Sequence, residues 1–388
     1  MAELRKLPGM RERAPGVWEV IVEAGRDPLT GRRRQVSRTI QGTVREAKKM
    51  RAELLTEAGL GQHSGADATV DYLHREWLRE LARKGRSPST IHGYETSYRR
   101  NIAPGLGSVQ VRKVNTKMLT DLYGAHQARG LKPATVYQIH ACLSSMFTQA
   151  CKWGWRDTNP AQWADPPSRP NLVPVIPTAE QVTALIEEAT HSRRPEYARA
   201  IFIAATTGVR RGELCAIRCV RDIDWDASAL MVGHSIIHVP HTEAGEHPTK
   251  NRRVRPVALD EFTLAMMRAQ QDMVRLRAIE AGVSLVDDPF LFSDAVDGSE
   301  PWRPSMITRY FARMRERASL EHLSFHSLRR FMSTYGQDLG FSGSQVALRA
   351  GHDPSVAAKH YTGGIAETDR ALARAVASLL VATAEGTA

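Results

Sequence analysis

The chain has 388 residues, of which 42% are hydrophobic and 24% are charged. This composition is typical of soluble globular proteins and excludes a chain that is disordered throughout. No apolar run approaches the roughly 18 residues of a membrane-spanning helix, and residues 1–9 lack the apolar core of a signal peptide. Four cysteines without a paired framework fit a reducing compartment, so we expect a cytoplasmic protein with no membrane partner.

The positive charge is concentrated in the first part of the chain. Lysines and arginines outnumber aspartates and glutamates by 53 to 42, which gives a formal net charge of +11. Residues 1–170 hold 28 basic and 16 acidic residues, whereas residues 171–388 hold 25 and 26. Such a field favours a polyanionic partner, above all nucleic acid, over the alternative of a basic surface that only keeps the protein soluble.

Residues 10–60 predict a small α+β module with two or three strands and one helix. Alternating apolar residues around Trp18–Val22 indicate one strand, and residues 32–40 indicate another. Thr43 and Glu46 have the spacing of a capping box for a helix that we expect to end near Gly59. Arginines of the second strand could enter the major groove of DNA, or could only protect an edge strand from aggregation. These arginines are Arg32, Arg33, Arg34 and Arg38.

Residues 69–158 follow a small polar linker and predict a helical domain. The last of its four helices begins at Pro133 and carries an apolar stripe from Val136 to Ala150 that we expect in the core. Basic residues on and after the first helix could follow DNA phosphates or form a merely solvated face. They are Arg75, Arg79, Arg83, Lys84 and Arg86.

Five prolines between Asn159 and Pro177 predict an extended interdomain linker, after which Thr178 caps a helix. Residues 197–221 predict a buried helix interrupted near Gly208. Residues 229–239 and 252–259 predict the strands of a β-hairpin with a polar turn, and the pattern from residue 261 is helical almost to the end.

Four short segments of the second half carry side chains suited to phosphate chemistry, although each is weak evidence alone. The first follows a glycine that breaks a helix, the second lies in the predicted hairpin turn, and the third occupies one helical turn. The fourth is a Gly-His pair with a tyrosine nine residues after the histidine. The side chains are Arg210 with Glu213, Lys250, His326 with Arg329, and His352 with Tyr361.

Together these segments resemble the tyrosine site-specific recombinases, the integrase family of phages and mobile elements. That family has an arginine in a TGxRxxE-like turn, a hairpin lysine, a His-x-x-Arg pair, a Gly-His and a nucleophilic tyrosine, and both order and spacing match here. The resemblance covers about residues 175–365. Ala350 stands where the family usually has leucine, and Arg330 stands where it often has histidine.

The resemblance implies a multidomain, mainly α protein with small β-sheets. Residues 1–64 would be an arm-type DNA-binding module, residues 65–165 a helical core-binding domain, and residues 175–388 a mostly α catalytic domain with a small antiparallel sheet and a tail helix. It also implies double-stranded DNA attachment sites and a homotetramer on DNA. A host DNA-bending protein and an excision directionality factor would be further partners.

The implied chemistry needs these residue types. Two permanently charged guanidiniums, Arg210 and Arg329, suit a phosphodiester that gathers negative charge during transesterification. A tyrosine phenol has a pKa of about 10, so Tyr361 needs a base such as His326 and positive surroundings before it can attack. His352 would donate a hydrogen bond to the phosphate. Attack would leave a 3′-phosphotyrosine and a free 5′-hydroxyl, with no metal or nucleotide cofactor.

Lysine usage singles out Lys250. It is the one lysine between Trp153 and Ala358 in a chain with 10 lysines and 43 arginines. Lysine can act as a general acid for the leaving 5′-oxygen, whereas arginine effectively never deprotonates. Chance placement of this lysine is the alternative.

Other candidate sites are weaker. Cys215 and Cys219 share a helix face without a second ligand pair for zinc, and the histidines near the hairpin do not predict a metal site. No acidic constellation suggests a two-metal nuclease. Two rival functions stay open: a type IB topoisomerase-like DNA-relaxing enzyme, and a non-catalytic DNA-binding regulator of the same fold.

The C-terminal tail predicts an amphipathic helix beyond Gly363 and Gly364. Its apolar positions include Leu372, Val376 and Leu380. This stripe could fold back on its own domain, but the resemblance leads us to expect docking on a neighbouring protomer.

Overall fold

The computed structural model describes residues 6–26, 33–59, 68–168, 175–239, 245–249, 254–351 and 367–386. The chain divides into two compact units, Met1–Asn171 and Leu172–Ala388. Within the described residues, no helix is long and apolar enough to cross a membrane.

The N-terminal unit begins with a four-stranded antiparallel sheet in the order β1-β2-β3-β4, followed by one helix. The bounds are β1 Lys6–Leu7, β2 Met10–Ala14, β3 Val17–Arg26, β4 Arg33–Gln41 and α1 Val44–Gly59. Trp18, Val20 and Val22 point to one face of β3, where they are buried with Ala47 and Leu54 of α1. The predicted strands and helix are confirmed, and the capping box forms because Thr43 N donates to Glu46 Oε2 at 2.7 Å. The sheet has more strands than expected because β2 is mostly charged and shows no apolar alternation.

The rest of this unit is helical, as predicted. The bounds are α2 Val70–Arg83, α3 Pro88–Ser97, α4 Ala103–Leu106, α5 Thr116–Ala128 and α6 Pro133–Lys152, with a π-helical turn at Tyr98–Ile102. The predicted stripe of α6 lies in the core with Trp77 and Tyr123.

The predicted linker at residues 159–177 is wrong in its first part. Asn159 Nδ2 donates to Ser144 O at 2.9 Å, and Ala161 and Ala164 are buried in the core of the helical domain. Proline-rich sequence does not exclude packing where the flanking residues are small and apolar, so Ala161 and Ala164 belong to the core of the helical domain.

The described residues of the C-terminal unit are mostly helical and form two small antiparallel sheets. Its first elements are α7 Ala179–Thr190, α8 Glu196–Thr207, α9 Arg211–Cys215, β5 Ile223–Asp224, β6 Ala229–Val232, β7 His234–Ile237, β8 Gly245–Pro248 and β9 Arg255–Ala258. The remaining elements are α10 Glu261–Glu280, α11 Pro304–Arg317, α12 Phe325–Asp338, α13 Gly343–Ala350 and α14 Glu367–Gly386. The predicted capping box at Thr178 and Gln181 is confirmed at the start of α7.

The predicted β-hairpin is divided between two sheets. β6 pairs with β5 and β9, whereas β7 pairs with β8 in a separate ribbon. Gly233 separates β6 from β7, and β8 was not predicted because its short sequence is polar. The pairing of β6 with β9 confirms the predicted pairing of residues 229–239 with residues 252–259 in part. Lys250 comes between β8 and β9 along the chain but lies outside the described residues, so its place in a turn stays a prediction.

The prediction of nearly continuous helix after residue 261 is also wrong. Residues 281–303 are irregular, although Phe290, Leu291 and Phe292 are buried in the core. Residue 293 forms an isolated bridge with Pro301, a residue that cannot donate a ladder hydrogen bond. Apolar periodicity in this stretch reflects burial of loop residues and not a helix.

Helix α14 packs on its own unit, so the expectation that the tail docks on a neighbouring protomer is contradicted. Leu372, Val376 and Leu380 lie in the same buried cluster as α7 and α8. Arg349 Nη1 of α13 also forms a buried ion pair with Asp369 Oδ1 at 2.9 Å. These contacts complete the core within one chain. Gly363 and Gly364 lie outside the described residues.

Candidate active site

The site is built on the turn between α8 and α9. Helix α8 ends at Thr207, and Gly208 adopts φ +67°, the left-handed conformation that glycine takes most readily at a helix end. A side chain at Gly208 would also collide with the terminal methyl of Met332 on α12. The glycine thus allows α12 to approach the turn from which Arg210 projects.

Arg329 lies beneath this turn and is almost completely buried, at 2% exposure. Its Nη1 donates to Gly208 O at 2.7 Å, while its Nε and Nη2 find no acceptor among the described residues. Burial and then the charge of Arg210 lower the pKa of Arg329 to about 9. The guanidinium remains charged at neutral pH, with two donors that an anion could satisfy.

Arg210 is held by Glu213, which lies three residues further along the chain. The Arg210 backbone N donates to Glu213 Oε2 at 2.9 Å, and Arg210 Nη1 donates to Glu213 Oε1 at 2.8 Å. Arg210 Nη2 donates to Gly351 O at 3.0 Å, and 44% of the Arg210 side chain stays exposed. Burial alone would raise the pKa of Glu213, but Arg255 and Arg210 lower it to about 2.

His326 lies on the first turn of α12, one helical turn before Arg329, and remains exposed. Partial burial of the ring, followed by the charges of Arg330, Arg329 and Arg210, lowers the pKa of His326. His326 and Arg329 are three residues apart on α12, so their side chains leave the same side of the helix. A neutral imidazole there can accept a proton.

Three of the predicted catalytic residues, Lys250, His352 and Tyr361, lie outside the described residues. The structure does describe Thr249 and Gly351, the residues directly before Lys250 and His352. Thr249 N donates to Gly233 O at 2.9 Å, directly before Lys250. Gly351, whose carbonyl accepts from Arg210, directly precedes His352.

Arg255 also belongs to this cluster, although the sequence analysis did not predict it as a site residue. Its Nη2 donates to Glu213 Oε2 at 2.7 Å and its Nε donates to Arg349 O at 3.1 Å. A single arginine at the start of a strand has no sequence signature, and only the fold brings β9 beside α9 and α13.

The predicted DNA-binding arginines of the N-terminal sheet are only partly described. Arg32 lies outside the described residues, and Arg33 and Arg34 belong to β4. Arg38 is exposed and pairs in register with Val20, so it lies on the sheet face that carries α1. The expected arginine strand therefore does not place Arg38 on the open face of the sheet.

The predicted basic residues of α2 and the loop after it are exposed, but several already have acidic partners. Arg79 pairs with Glu76 at 2.6 Å, whereas Arg83 and Lys84 share Glu80 at 2.7 and 3.0 Å. The guanidinium of Arg75 lies 5.7 Å from the ring of Tyr72, and Arg86 is exposed after the helix. Exposed ion pairs contribute little stability and can exchange for phosphates, so this face stays compatible with DNA.

No group of three or more metal-ligating side chains occurs in the described part of the chain. Cys215 and Cys219 are both buried, and burial raises the pKa of the Cys219 thiol to about 12. Buried thiols of this kind pack as small apolar side chains.

The profile of the phage integrase family matches residues 177–365. Residues 177–365 therefore belong to that family. An integrase of Saccharopolyspora erythraea is 27% identical over 210 residues, which cover 53% of this chain and 47% of that protein. The chain thus spans about half the length of this relative.

Solved integrases share the fold. The Tn1549 transposon integrase in complex with a circular intermediate DNA covers 78% of this chain and 98% of its own, with 19% identity and a TM-score of 0.60. A lambda integrase tetramer bound to a Holliday junction covers 92% of this chain and 99% of its own, with 20% identity and a TM-score of 0.54. The mainly α architecture with small antiparallel sheets is therefore that of the phage integrases, as the sequence predicted.

Proposed function

We propose that this phage integrase is a site-specific DNA recombinase that cleaves and rejoins strands through a covalent 3′-phosphotyrosine at Tyr361. The observation that carries the proposal is the pair of guanidiniums at the α8–α9 turn. Arg329 is buried beside Arg210 with two donors that have no acceptor in the described part of the chain, an arrangement that a bound anion would stabilise. A phosphodiester is the anion that fits two forked donors.

The reaction would run as an exchange of phosphoester bonds. Tyr361 Oη attacks phosphorus, and the bond to the 5′-oxygen breaks. His326 takes or relays the phenol proton, and Lys250 gives a proton to the leaving 5′-oxygen. Arg210, Arg329 and His352 bind the non-bridging oxygens, where negative charge accumulates. Attack by the 5′-hydroxyl of a partner strand reverses these steps.

We further propose the three-part organisation given above, with residues 1–64 and 65–165 as DNA-binding parts and residues 175–388 as the catalytic part. Separate hydrophobic clusters at residues 10–54, 68–164 and 179–380 support it. The substrate would be phage or mobile-element attachment DNA in a bacterial cytoplasm. The enzyme would act as a tetramer, with a host DNA-bending protein and a directionality factor as further partners.

A suicide substrate with a nick near the cleavage position tests the proposal, because the released fragment diffuses away and traps the covalent complex. We expect the wild-type protein to be trapped at one attachment sequence. Trapping at many sequences would indicate a topoisomerase-like enzyme, and no trapping at any sequence would indicate a DNA-binding regulator.

Tyr361→Phe identifies the nucleophile. This variant should lose the covalent product and keep DNA affinity, because only one oxygen atom is removed. Tyr335→Phe is the matched control, since Tyr335 is half-buried against Phe331 on α12. A covalent band that persists in Tyr361→Phe and disappears in Tyr335→Phe would move the nucleophile to Tyr335.

A further inference from the structure

The buried carboxylate of Glu213 is shared between two guanidiniums. Arg210 Nη1 donates to Glu213 Oε1 at 2.8 Å, while Arg255 contacts both oxygens, at 2.7 Å to Oε2 and 3.3 Å to Oε1. Glu213 is 3% exposed, and the side chain of Arg255 is 14% exposed. Arg210 is the more exposed partner, at 44%. The carboxylate therefore has one partner that is accessible to solvent and one that is mostly buried.

Arg255 is fixed in place independently of Glu213. It starts β9, whose Val257 and Ala258 are fully buried. Its Nε donates to Arg349 O at 3.1 Å. The guanidinium also lies flat against Gly351, where an added Cβ would come within 2.8 Å of its central carbon. Gly351 has φ +66°, so glycine is favoured there for conformation as well as for space.

The charge of Arg255 changes what Arg210 can do. A carboxylate buried to this extent requires a counter-charge. Burial is the largest single influence on the pKa of Glu213 and acts to raise it. With Arg255 absent, Arg210 would be its one cationic partner among the described residues. Arg210 would then neutralise Glu213 and would offer less charge to a phosphate.

We propose that Arg255 is a positioning residue that neutralises Glu213, so that the charge of Arg210 remains available to the scissile phosphate. Arg255 also joins β9 to the end of α13, where Gly351 O accepts from Arg210. This inference rests on the proposed function, because it assumes that Arg210 binds the phosphate.

The net charge of the cluster predicts how variants of Arg255 and Glu213 should differ in cleavage rate. Arg210, Arg255, Arg329 and Glu213 together carry +2. Replacement of Arg255 by methionine leaves +1, and additional replacement of Glu213 by glutamine restores +2. The loss caused by Arg255→Met should therefore depend on the charge at Glu213.

The experiment measures single-turnover cleavage of the suicide substrate by four proteins: wild type, Arg255→Met, Glu213→Gln and the double variant. We expect Arg255→Met to lower the rate roughly 10- to 100-fold when Glu213 is present, in line with hydrogen bonds to charged groups. In the Glu213→Gln background, the same replacement should cost less than about threefold, because glutamine needs no counter-charge. Arg255→Lys, which keeps the charge, should lie closer to wild type than Arg255→Met.

Arg194→Met is the control for loss of a half-buried arginine. Arg194 is 23% exposed and pairs with Glu196 at 2.6 Å. It precedes α8, roughly 18 Å along the helix from the catalytic turn. This variant should lose stability and keep its cleavage rate. Circular dichroism and DNA binding establish that each variant is folded.

The outcomes separate the inference from the function on which it rests. Absence of covalent complex in the wild type would refute the proposed function. A wild type that cleaves would refute the inference if Arg255→Met cleaves equally fast, or if the loss is the same with Glu213 and with glutamine. If Arg255→Met does not fold, a tenfold or larger difference between Glu213→Gln and the double variant would overturn the inference.

Discussion

Asp369→Asn tests whether α14 completes the fold of its own chain. Asp369 is 9% exposed and its partner Arg349 is 0% exposed, with 2.9 Å between Arg349 Nη1 and Asp369 Oδ1. Asp369 Oδ2 also accepts a hydrogen bond from Ala258 N at 2.6 Å. Asparagine can keep an acceptor for Ala258 N, but it removes the negative charge.

The expected loss follows from the state in which Arg349 is left. Its guanidinium still donates to Thr206 O at 3.0 Å and Ala258 O at 3.1 Å, but its charge has no counter-ion. Breaking a buried pair in this way costs about 3–5 kcal/mol. For a unit of this size, each kcal/mol lowers the melting temperature by about 2–4 °C, so we expect a decrease of about 6–20 °C.

Differential scanning calorimetry of the full chain measures this shift. Asp338→Asn is the matched control, because it is the same chemical change at an exposed position of α12, and it should alter the free energy of unfolding by less than about 0.5 kcal/mol. Equal melting temperatures for the two variants would refute the buried pair. The docking of α14 on its own unit would then lose its main polar support.

Three further predictions concern the candidate active site and the N-terminal module. Gly208→Ala should lower the stability by about 1–2 kcal/mol, because alanine disfavours positive φ. It should also slow cleavage, because the new Cβ would collide with Met332 and shift the carbonyl that accepts from Arg329; unchanged melting and cleavage would contradict this. The pKa of His326 is lowered, so cleavage should fall with decreasing pH only below about 6.5, the ordinary pKa of histidine, in a pH–rate profile; a midpoint above that value would contradict a proton-accepting role. Deletion of residues 1–64 should spare binding to the cleavage core and weaken binding to distal sites in mobility-shift assays; equal affinity for long attachment DNA would refute the arm assignment.

Local features of the fold could be predicted from the sequence. The capping boxes at Thr43 and Thr178 depend on residues three positions apart, and the stripe of α6 repeats with the period of one helix. Arg210, Glu213, His326 and Arg329 were found because each pair lies within one turn of chain. Their order along the sequence then gave the family resemblance.

Features that depend on distant pairing could not be predicted. Whether β7 pairs with β8 or continues β6 depends on Gly233 and on a polar strand that carries no pattern of its own. The docking of α14 depends on Asp369 meeting Arg349 and Ala258, two residues that are far away in sequence. The role of Arg255 could not be predicted for the same reason, since its partners come from α9 and α13.

Arg349 on α13 contacts both the tail helix and Arg255 of the candidate active site. Its side chain pairs with Asp369 on α14, while its backbone carbonyl accepts from Arg255. The tail is thus linked to Arg255 through the single residue Arg349, and Arg255 is linked to Arg210 through the carboxylate of Glu213. Changes in the tail of this protein should consequently alter cleavage rate as well as stability, so a tail variant with slow cleavage would not by itself indicate a defect in assembly.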